Sequence, residues 1–99
     1  MAPPGEFGKP RPVLVVQSDL SLVGLTVTFV PITSDLEHNP ELRVPISPTA
    51  ENGLRKPSEL MIDRIQTCTW SRVGGHIGHI DAATLRKVEI ALMLHLGLV

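Results

Sequence analysis

One arginine of the sequence stands between two prolines, in the segment Gly8-Lys9-Pro10-Arg11-Pro12, directly before a run of four aliphatic residues. Each proline fixes its own φ and restricts the residue before it, so the backbone on both sides of Arg11 is stiff. A guanidinium held there can donate two parallel hydrogen bonds to a phosphate and stays charged at any relevant pH. Spacing alone favours the simpler interpretation, that Arg11 is an ordinary solvated surface residue.

Two other segments carry side chains of types that could take part in catalysis. Thr33 and Ser34 are adjacent hydroxyls after a predicted strand, where the alternative is a turn stabilised by side-chain to backbone hydrogen bonds. In Met61-Ile62-Asp63-Arg64-Ile65, strand alternation places Asp63 on the same face as Met61 and Ile65, and a carboxylate there needs a partner or a function. The alternative for Asp63 is a structural ion pair with an arginine, of which Arg11 is one candidate.

The same residues argue against several other kinds of chemistry. Cys68 and four histidines are the only soft metal ligands, and His76 and His79 would point to opposite faces of a predicted strand. No glycine-rich phosphate loop lies between a strand and a helix, and there is no Gly-x-Ser-x-Gly elbow. We therefore expect no metal site, no cofactor and no nucleophilic protein side chain.

The composition describes one small domain with an aliphatic core. The 99 residues are 42% hydrophobic and 19% charged, with three aromatic residues and one cysteine. The apolar runs are far shorter than the roughly 20 residues that span a bilayer. With no secretory signal pattern and a single cysteine, we expect a cytoplasmic protein. The formal net charge is −1, yet residues 12–42 contain no lysine or arginine, so the basic residues gather elsewhere and can form a local basic face.

The elements that must position these residues change character along the chain. All nine prolines lie within the first 57 residues, which predicts strands and irregular structure there. Residues 13–16 read as a central strand covered on both faces. Residues 26–30 read as a second strand, with regular pairing that ends at Pro31, and Arg43–Ile46 as a third.

The second half of the chain is predicted to end in a helix. Asn52-Gly53 indicates a turn with positive φ that leads into residues 58–69. Asp81 can cap a helix from Ala82 whose apolar stripe comprises Leu85, Val88, Leu92 and Leu96, and Gly97 can end it. About five strands and one amphipathic helix predict a mainly β fold (α+β), a small barrel capped by the helix, in one domain over residues 1–99.

Taken together, these stretches resemble a known family. Segments 8–17, 30–34 and 52–65 occur in the order and spacing of the MazF/PemK family of toxin endoribonucleases, and Gly78-His79-Ile80-Asp81 before the last helix is similar to that family's ending. The resemblance covers residues 5–97. An arginine-proline element before an aliphatic strand, with a threonine-serine element about twenty residues later, is a fairly specific combination, although neither element is specific alone.

The resemblance implies an SH3-like barrel, a homodimer, and metal-independent cleavage of single-stranded RNA, commonly messenger RNA. It also implies a cognate antitoxin whose extended C-terminal segment blocks the RNA groove. The family's usual catalytic pair falls on Arg11 and Thr33. Some members use an arginine and an aspartate two residues apart, and here Asp63 matches the aspartate whereas Met61 stands in place of the arginine. The expected site therefore has Arg11, Thr33 and Asp63 as catalytic residues, and Lys9, Gln17, Ser34 and Arg64 as RNA contacts.

Two alternatives remain open at this point. A CcdB-type toxin shares the fold but binds DNA gyrase through its C-terminal residues; that class needs a tryptophan near the chain end, whereas the only tryptophan here is Trp70. The other alternative is a non-catalytic SH3-like binding module or a degenerate toxin. Members of the family usually begin with a Gly-Asp strand, and this chain starts at the loop after it. A late start codon, a truncated chain or another chain filling the gap would each account for that difference.

Overall fold

The computed structural model of the chain describes residues 10–18 and 24–99. The elements follow in the order β1 (Val13–Val15), β2 (Thr26–Thr33), β3 (Arg43–Ile46), β4 (Ser58–Met61), β5 (Gln66–Thr69) and α1 (Ala82–His95). Every strand pairing is antiparallel, in the order β1-β2-β4-β3, and β5 also pairs with β2. The predicted mainly β fold with a C-terminal helix is confirmed. Among the described residues the pairing path stays open.

The central strand is β2, so the prediction of a central strand at 13–16 is wrong. Within the described part of the chain β1 pairs only with β2, and its residues are half-buried or exposed. The strand β2 also continues through Pro31 to Thr33 instead of losing its pairing at the proline. Pro31 lies between the part of β2 that pairs with β5, which ends at Phe29, and the part that pairs with β4, which starts at Ile32. On the other edge of β2, Pro31 is opposite Val13 of β1, where the neighbouring Ile32 N–H donates to the Pro12 carbonyl. The missing N–H of Pro31 therefore falls outside the ladder bonds on both edges.

Both faces of β2 are buried, against different groups of residues. Val30 and Ile32 belong to the main core, with Leu60 from β4 and Val88 from α1. On the other face Val27 and Phe29 pack with Cys68, as the predicted alternation at these two positions requires. The remaining buried members of the main core come from β3 and from the residue after β4: Val44, Ile46 and Ile62.

The predicted segment 58–69 is not a continuous strand. A 3₁₀ helix at Ile62–Arg64 separates β4 from β5, and the Ile62 N–H donates to the Leu42 carbonyl at 2.9 Å. Because the turn interrupts the alternation, Ile62 is fully buried whereas Asp63 and Arg64 are exposed. The argument that placed Asp63 on one strand face with Met61 and Ile65 is therefore wrong. The predicted strand around His76 and His79 is also irregular backbone.

The turn before β4 and the C-terminal helix both agree with the sequence prediction. Gly53 has a φ of 69°, and a Cβ atom there would lie 2.2 Å from the Ile77 carbonyl oxygen. Asp81 caps α1 by accepting the Thr84 N–H at 3.0 Å. Of the predicted stripe only Val88 is fully buried, and Leu85 and Leu96 are exposed. No described helix has the length and apolar character needed to cross a membrane.

Candidate active site

A polar cleft of about 270 Å³ lies where the end of β2 meets the residues before β1 and the 3₁₀ helix. Three of the predicted site residues line it, namely Arg11, Thr33 and Arg64. The sequence separates them by up to 53 positions, so it is the sheet that brings them together. The other residues that line the cleft are Pro31, Ile32, Asp35, Glu37, Arg43, Met61 and Gln66.

Strand register explains why Arg11 and Thr33 meet. In the β1 and β2 pair, Val13 is opposite Pro31, and the Ile32 N–H donates to the Pro12 carbonyl at 3.1 Å. Continuing this register by two pairs beyond Val13 and Pro31 sets Arg11 opposite Thr33. Directly opposed residues of an antiparallel pair point to the same face. The two catalytic candidates therefore share one side of the sheet.

Thr33 also forms the turn that its sequence context predicted. Its Oγ1 accepts the backbone N–H of Asp35 at 3.0 Å. A hydroxyl has one proton to donate besides its acceptor lone pairs. With a backbone N–H already bound to the oxygen, the Thr33 O–H can donate to a phosphate oxygen in the cleft. The structural and the catalytic interpretations of Thr33 are therefore compatible.

A buried ion pair lies behind the cleft. Arg43, at the start of β3, is 6% exposed, and Glu59 of β4 is 2% exposed. Their Nη1 and Oε1 atoms are 3.2 Å apart, and Arg43 Nη2 is 2.8 Å from Glu37 Oε2. Neither charge is left uncompensated in the interior, as the cost of burying a charge requires.

The backbone of residues 35–38 supplies the other hydrogen bonds to this pair. The N–H groups of Glu37 and His38 donate to the two carboxylate oxygens of Glu59 at 2.9 and 3.1 Å. The Glu37 N–H is the largest cause that lowers the pKa of Glu59, followed by the His38 N–H and the Arg43 charge, and together they outweigh desolvation. Glu59 is thus an anion that holds the segment next to Thr33.

His38, in the same segment, has an unusual backbone conformation. Its φ is 58°, in the left-handed region that residues other than glycine rarely occupy. Arg43 Nη1 also contacts the Asp35 carbonyl, at 3.4 Å. The wall of the cleft that carries Asp35 and Glu37 is therefore fixed by Arg43 and Glu59.

The other predicted site residues lie elsewhere. Asp63 and Ser34 are exposed and are not among the residues lining the cleft. The side-chain oxygen of Gln17 accepts the Thr28 N–H at 2.8 Å, which ties the end of β1 to β2. Lys9 lies outside the described residues. The prediction of an absent first strand also concerns the N-terminal part of the chain outside the described residues.

Sequence reasoning missed most of the cleft's polar lining. Asp35 could have been found, because it stands two residues after Thr33 in the predicted turn. Arg43 and Glu59 were charged residues inside apolar strand patterns, which indicates partners. We find no sequence signal for Gln66, whose Nε2 donates to the Arg64 carbonyl at 3.3 Å.

A second, more apolar groove of about 550 Å³ adjoins the cleft, and Arg11 lines both. Its walls include Val13 and Val15 of β1, the half-buried Trp70, and Val73. Arg11 thus stands between a polar cleft and an apolar groove. An extended chain that passes Arg11 can contact both.

The chain belongs to the PemK-like, MazF-like toxins of type II toxin-antitoxin systems, whose family profile matches residues 2–96. It is 37% identical over 91 residues to the "Probable endoribonuclease MazF" of Mycolicibacterium smegmatis, over 92% of this chain and 84% of that protein. The sequence resemblance to the MazF/PemK family is confirmed.

Two solved structures are similar along most of their length. The Mycobacterium tuberculosis toxin MazF-mt6 superposes with a TM-score of 0.77 at 28% identity, over 88% of this chain and 86% of that one. An endoribonuclease in complex with its cognate antitoxin, from a mycobacterial species, gives a TM-score of 0.79 at 25% identity, over 95% and 88%. Both support the predicted MazF-like fold.

Proposed function

We propose that this chain is a toxin that cleaves single-stranded RNA, including messenger RNA, without a metal ion. The observation that carries the proposal is the cleft in which strand register sets Arg11 opposite Thr33, with Arg64 on the same lining. Relatives that are named endoribonucleases support it. The attacking group is the 2'-hydroxyl of the substrate, which explains why no protein nucleophile is needed.

Arg11 and Thr33 have distinct tasks in this reaction. As the 2'-oxygen bonds to phosphorus, negative charge grows on the non-bridging oxygens, and the Arg11 guanidinium donates two hydrogen bonds to them. The Thr33 O–H donates to the same phosphate and holds it in line. The bond from phosphorus to the 5'-oxygen then breaks, which leaves a 2',3'-cyclic phosphate and a 5'-hydroxyl.

The arginines that line the cleft are the candidate cations for binding RNA phosphates. Arg43 contacts the carboxylates of Glu37 and Glu59, so its guanidinium is committed to the protein. Arg11 and the exposed Arg64 are the other two arginines that line the cleft. Because strand register sets Arg11 opposite Thr33, we assign the scissile phosphate to Arg11 and a neighbouring phosphate to Arg64. Ser34 and Lys9 remain candidate contacts of the flanking nucleotides.

The surface of the protein offers candidate binding sites for an antitoxin and for a second copy of the chain. The apolar groove beside Arg11 fits the extended segment of a cognate antitoxin, which would block the cleft.

A homodimer is supported by a third groove of about 800 Å³ between β3 and α1, beside exposed Ile90 and Leu94. Sedimentation equilibrium should give twice the chain mass, and a monomer at concentrations that cleave RNA would contradict the dimer. A messenger RNA substrate supports the expected cytoplasmic location.

The function is tested with purified protein and a single-stranded RNA in EDTA. We expect fragments with 2',3'-cyclic phosphate and 5'-hydroxyl ends, identified by end-group analysis. The control is the same oligonucleotide with 2'-deoxyribose at the mapped cut site, which should remain intact because it lacks the nucleophile. Cleavage of the deoxy substrate at that site would rule out the mechanism.

A further inference from the structure

Among the described residues, two carboxylates line the cleft, and they differ in what they contact. The Glu37 side chain is 2.8 Å from Arg43 Nη2 and belongs to the buried ion-pair network. Asp35 is exposed, and within the described residues its carboxylate forms neither a hydrogen bond nor an ion pair. Of the two described carboxylates in the cleft lining, Asp35 is thus the one that takes no part in the ion-pair network. Asp63, the carboxylate expected from the sequence, is not among the lining residues.

The backbone of Asp35 is fixed on two sides. Its N–H donates to Thr33 Oγ1 at 3.0 Å, and its carbonyl accepts from Arg43 Nη1 at 3.4 Å. The residue therefore has a constrained backbone, is exposed, and belongs to the lining of the cleft. A group that must take a proton from a substrate needs these properties, because proton transfer depends on placement within hydrogen-bond reach.

We propose that Asp35 is the catalytic residue that accepts the proton of the attacking 2'-hydroxyl. This inference rests on the proposed RNA cleavage. In the step, an Asp35 carboxylate oxygen takes the proton as the 2'-oxygen forms its bond to phosphorus. The bond from phosphorus to the 5'-oxygen breaks, and the 5'-oxygen takes a proton from solvent. Arg11 and Thr33 hold the phosphate throughout.

The protonation state of Asp35 matters for this step. The charged residues that line the cleft with Asp35 include Arg11, Arg43, Arg64 and Glu37, and Glu59 stands behind them on β4. Only the carboxylate form of Asp35 can accept the proton of the 2'-hydroxyl. We therefore expect kcat/KM to fall on the acidic side of its pH profile.

The test is the pH profile of kcat and KM for Asp35→Asn, an isosteric change at an exposed position. We expect kcat to fall by about 10²- to 10⁴-fold, KM to change little, and the acidic limb of the profile to disappear. Glu89→Gln, which removes a carboxylate from the exposed face of α1, is the matched control and should keep the wild-type limb. Thermal unfolding checks that each variant is folded.

The possible outcomes separate this inference from the proposed function. If the wild-type protein cleaves RNA and Asp35→Asn keeps its rate and its acidic limb, Asp35 is not the proton acceptor. Loss of the limb in Asp63→Asn instead would assign the role to Asp63. Wild-type protein that leaves RNA intact would overturn the function and the inference together.

Discussion

Arg11→Ala lowers kcat/KM for RNA cleavage by about a hundredfold or more. The register of β1 and β2 sets Arg11 opposite Thr33 in the cleft, and in the proposed reaction its guanidinium stabilises charge that develops only in the transition state. Arg11→Lys should recover little of the loss, since an ammonium keeps the charge but cannot form the two parallel hydrogen bonds. The rates are measured on one RNA at saturating and at low substrate concentrations.

The matched control for Arg11→Ala is Arg55→Ala. Arg55 is an exposed arginine in the loop before β4 and does not line the cleft. It carries the same charge, so its removal tests whether the effect comes from net charge alone. A fully active Arg11→Ala protein would show that this arginine is structural, and equal losses in both variants would point to non-specific attraction of RNA.

Glu59→Ala lowers the free energy of unfolding by about 3–5 kcal/mol. The substitution leaves Arg43 buried without the carboxylate at 3.2 Å and removes the acceptor of two backbone N–H groups. The double variant Arg43→Met with Glu59→Leu should be more stable than Glu59→Ala, because no buried charge is then left without its partner. Urea unfolding measures all three proteins, and a Glu59→Ala midpoint equal to that of the wild type would contradict the prediction.

Glu59 also gives stability a definite pH dependence. Because its pKa is lowered in the folded protein, the folded state binds this proton more weakly than the unfolded state does. The contribution of Glu59 to the free energy of unfolding is fully present above the ordinary glutamate pKa of about 4.3. It is lost as the pH falls through the pKa of Glu59 in the folded protein. In Glu59→Ala this part of the acid-induced loss of stability should be absent.

Activity separates the positioning role of Glu59 from stability in general. Val27→Ala provides a destabilised control, since Val27 is fully buried against Phe29 and Cys68 and lines neither the cleft nor the apolar groove. At a temperature where both variants are folded, we expect Glu59→Ala to lose kcat, because residues 35–38 lose their anchor. Val27→Ala should keep its kcat. Equal kcat values in the two variants would mean that the ion pair stabilises the fold without positioning the cleft.

The sequence alone determined the parts of this protein that depend on local chemistry. The strand at 43–46, the positive φ of Gly53 and the Asp81 cap each follow from residues within a few positions of one another. Arg11 and Thr33 were recognisable as candidate catalytic residues because the two short motifs that contain them occur in a specific order. None of these predictions required knowledge of which strands pair.

Only the tertiary structure decided which strand is central and which carboxylate enters the cleft. An aliphatic run such as 13–16 does not reveal how many neighbours it will have, and β1 has one within the described residues. The 3₁₀ helix at Ile62–Arg64 ends the period-two pattern and leaves Asp63 out of the cleft lining. Asp35 belongs to that lining in a turn held by Thr33 and Arg43. The Arg43 and Glu59 pair joins two strands across sixteen residues. Contacts of this kind arise from strand pairing and burial, which no local pattern of residues specifies.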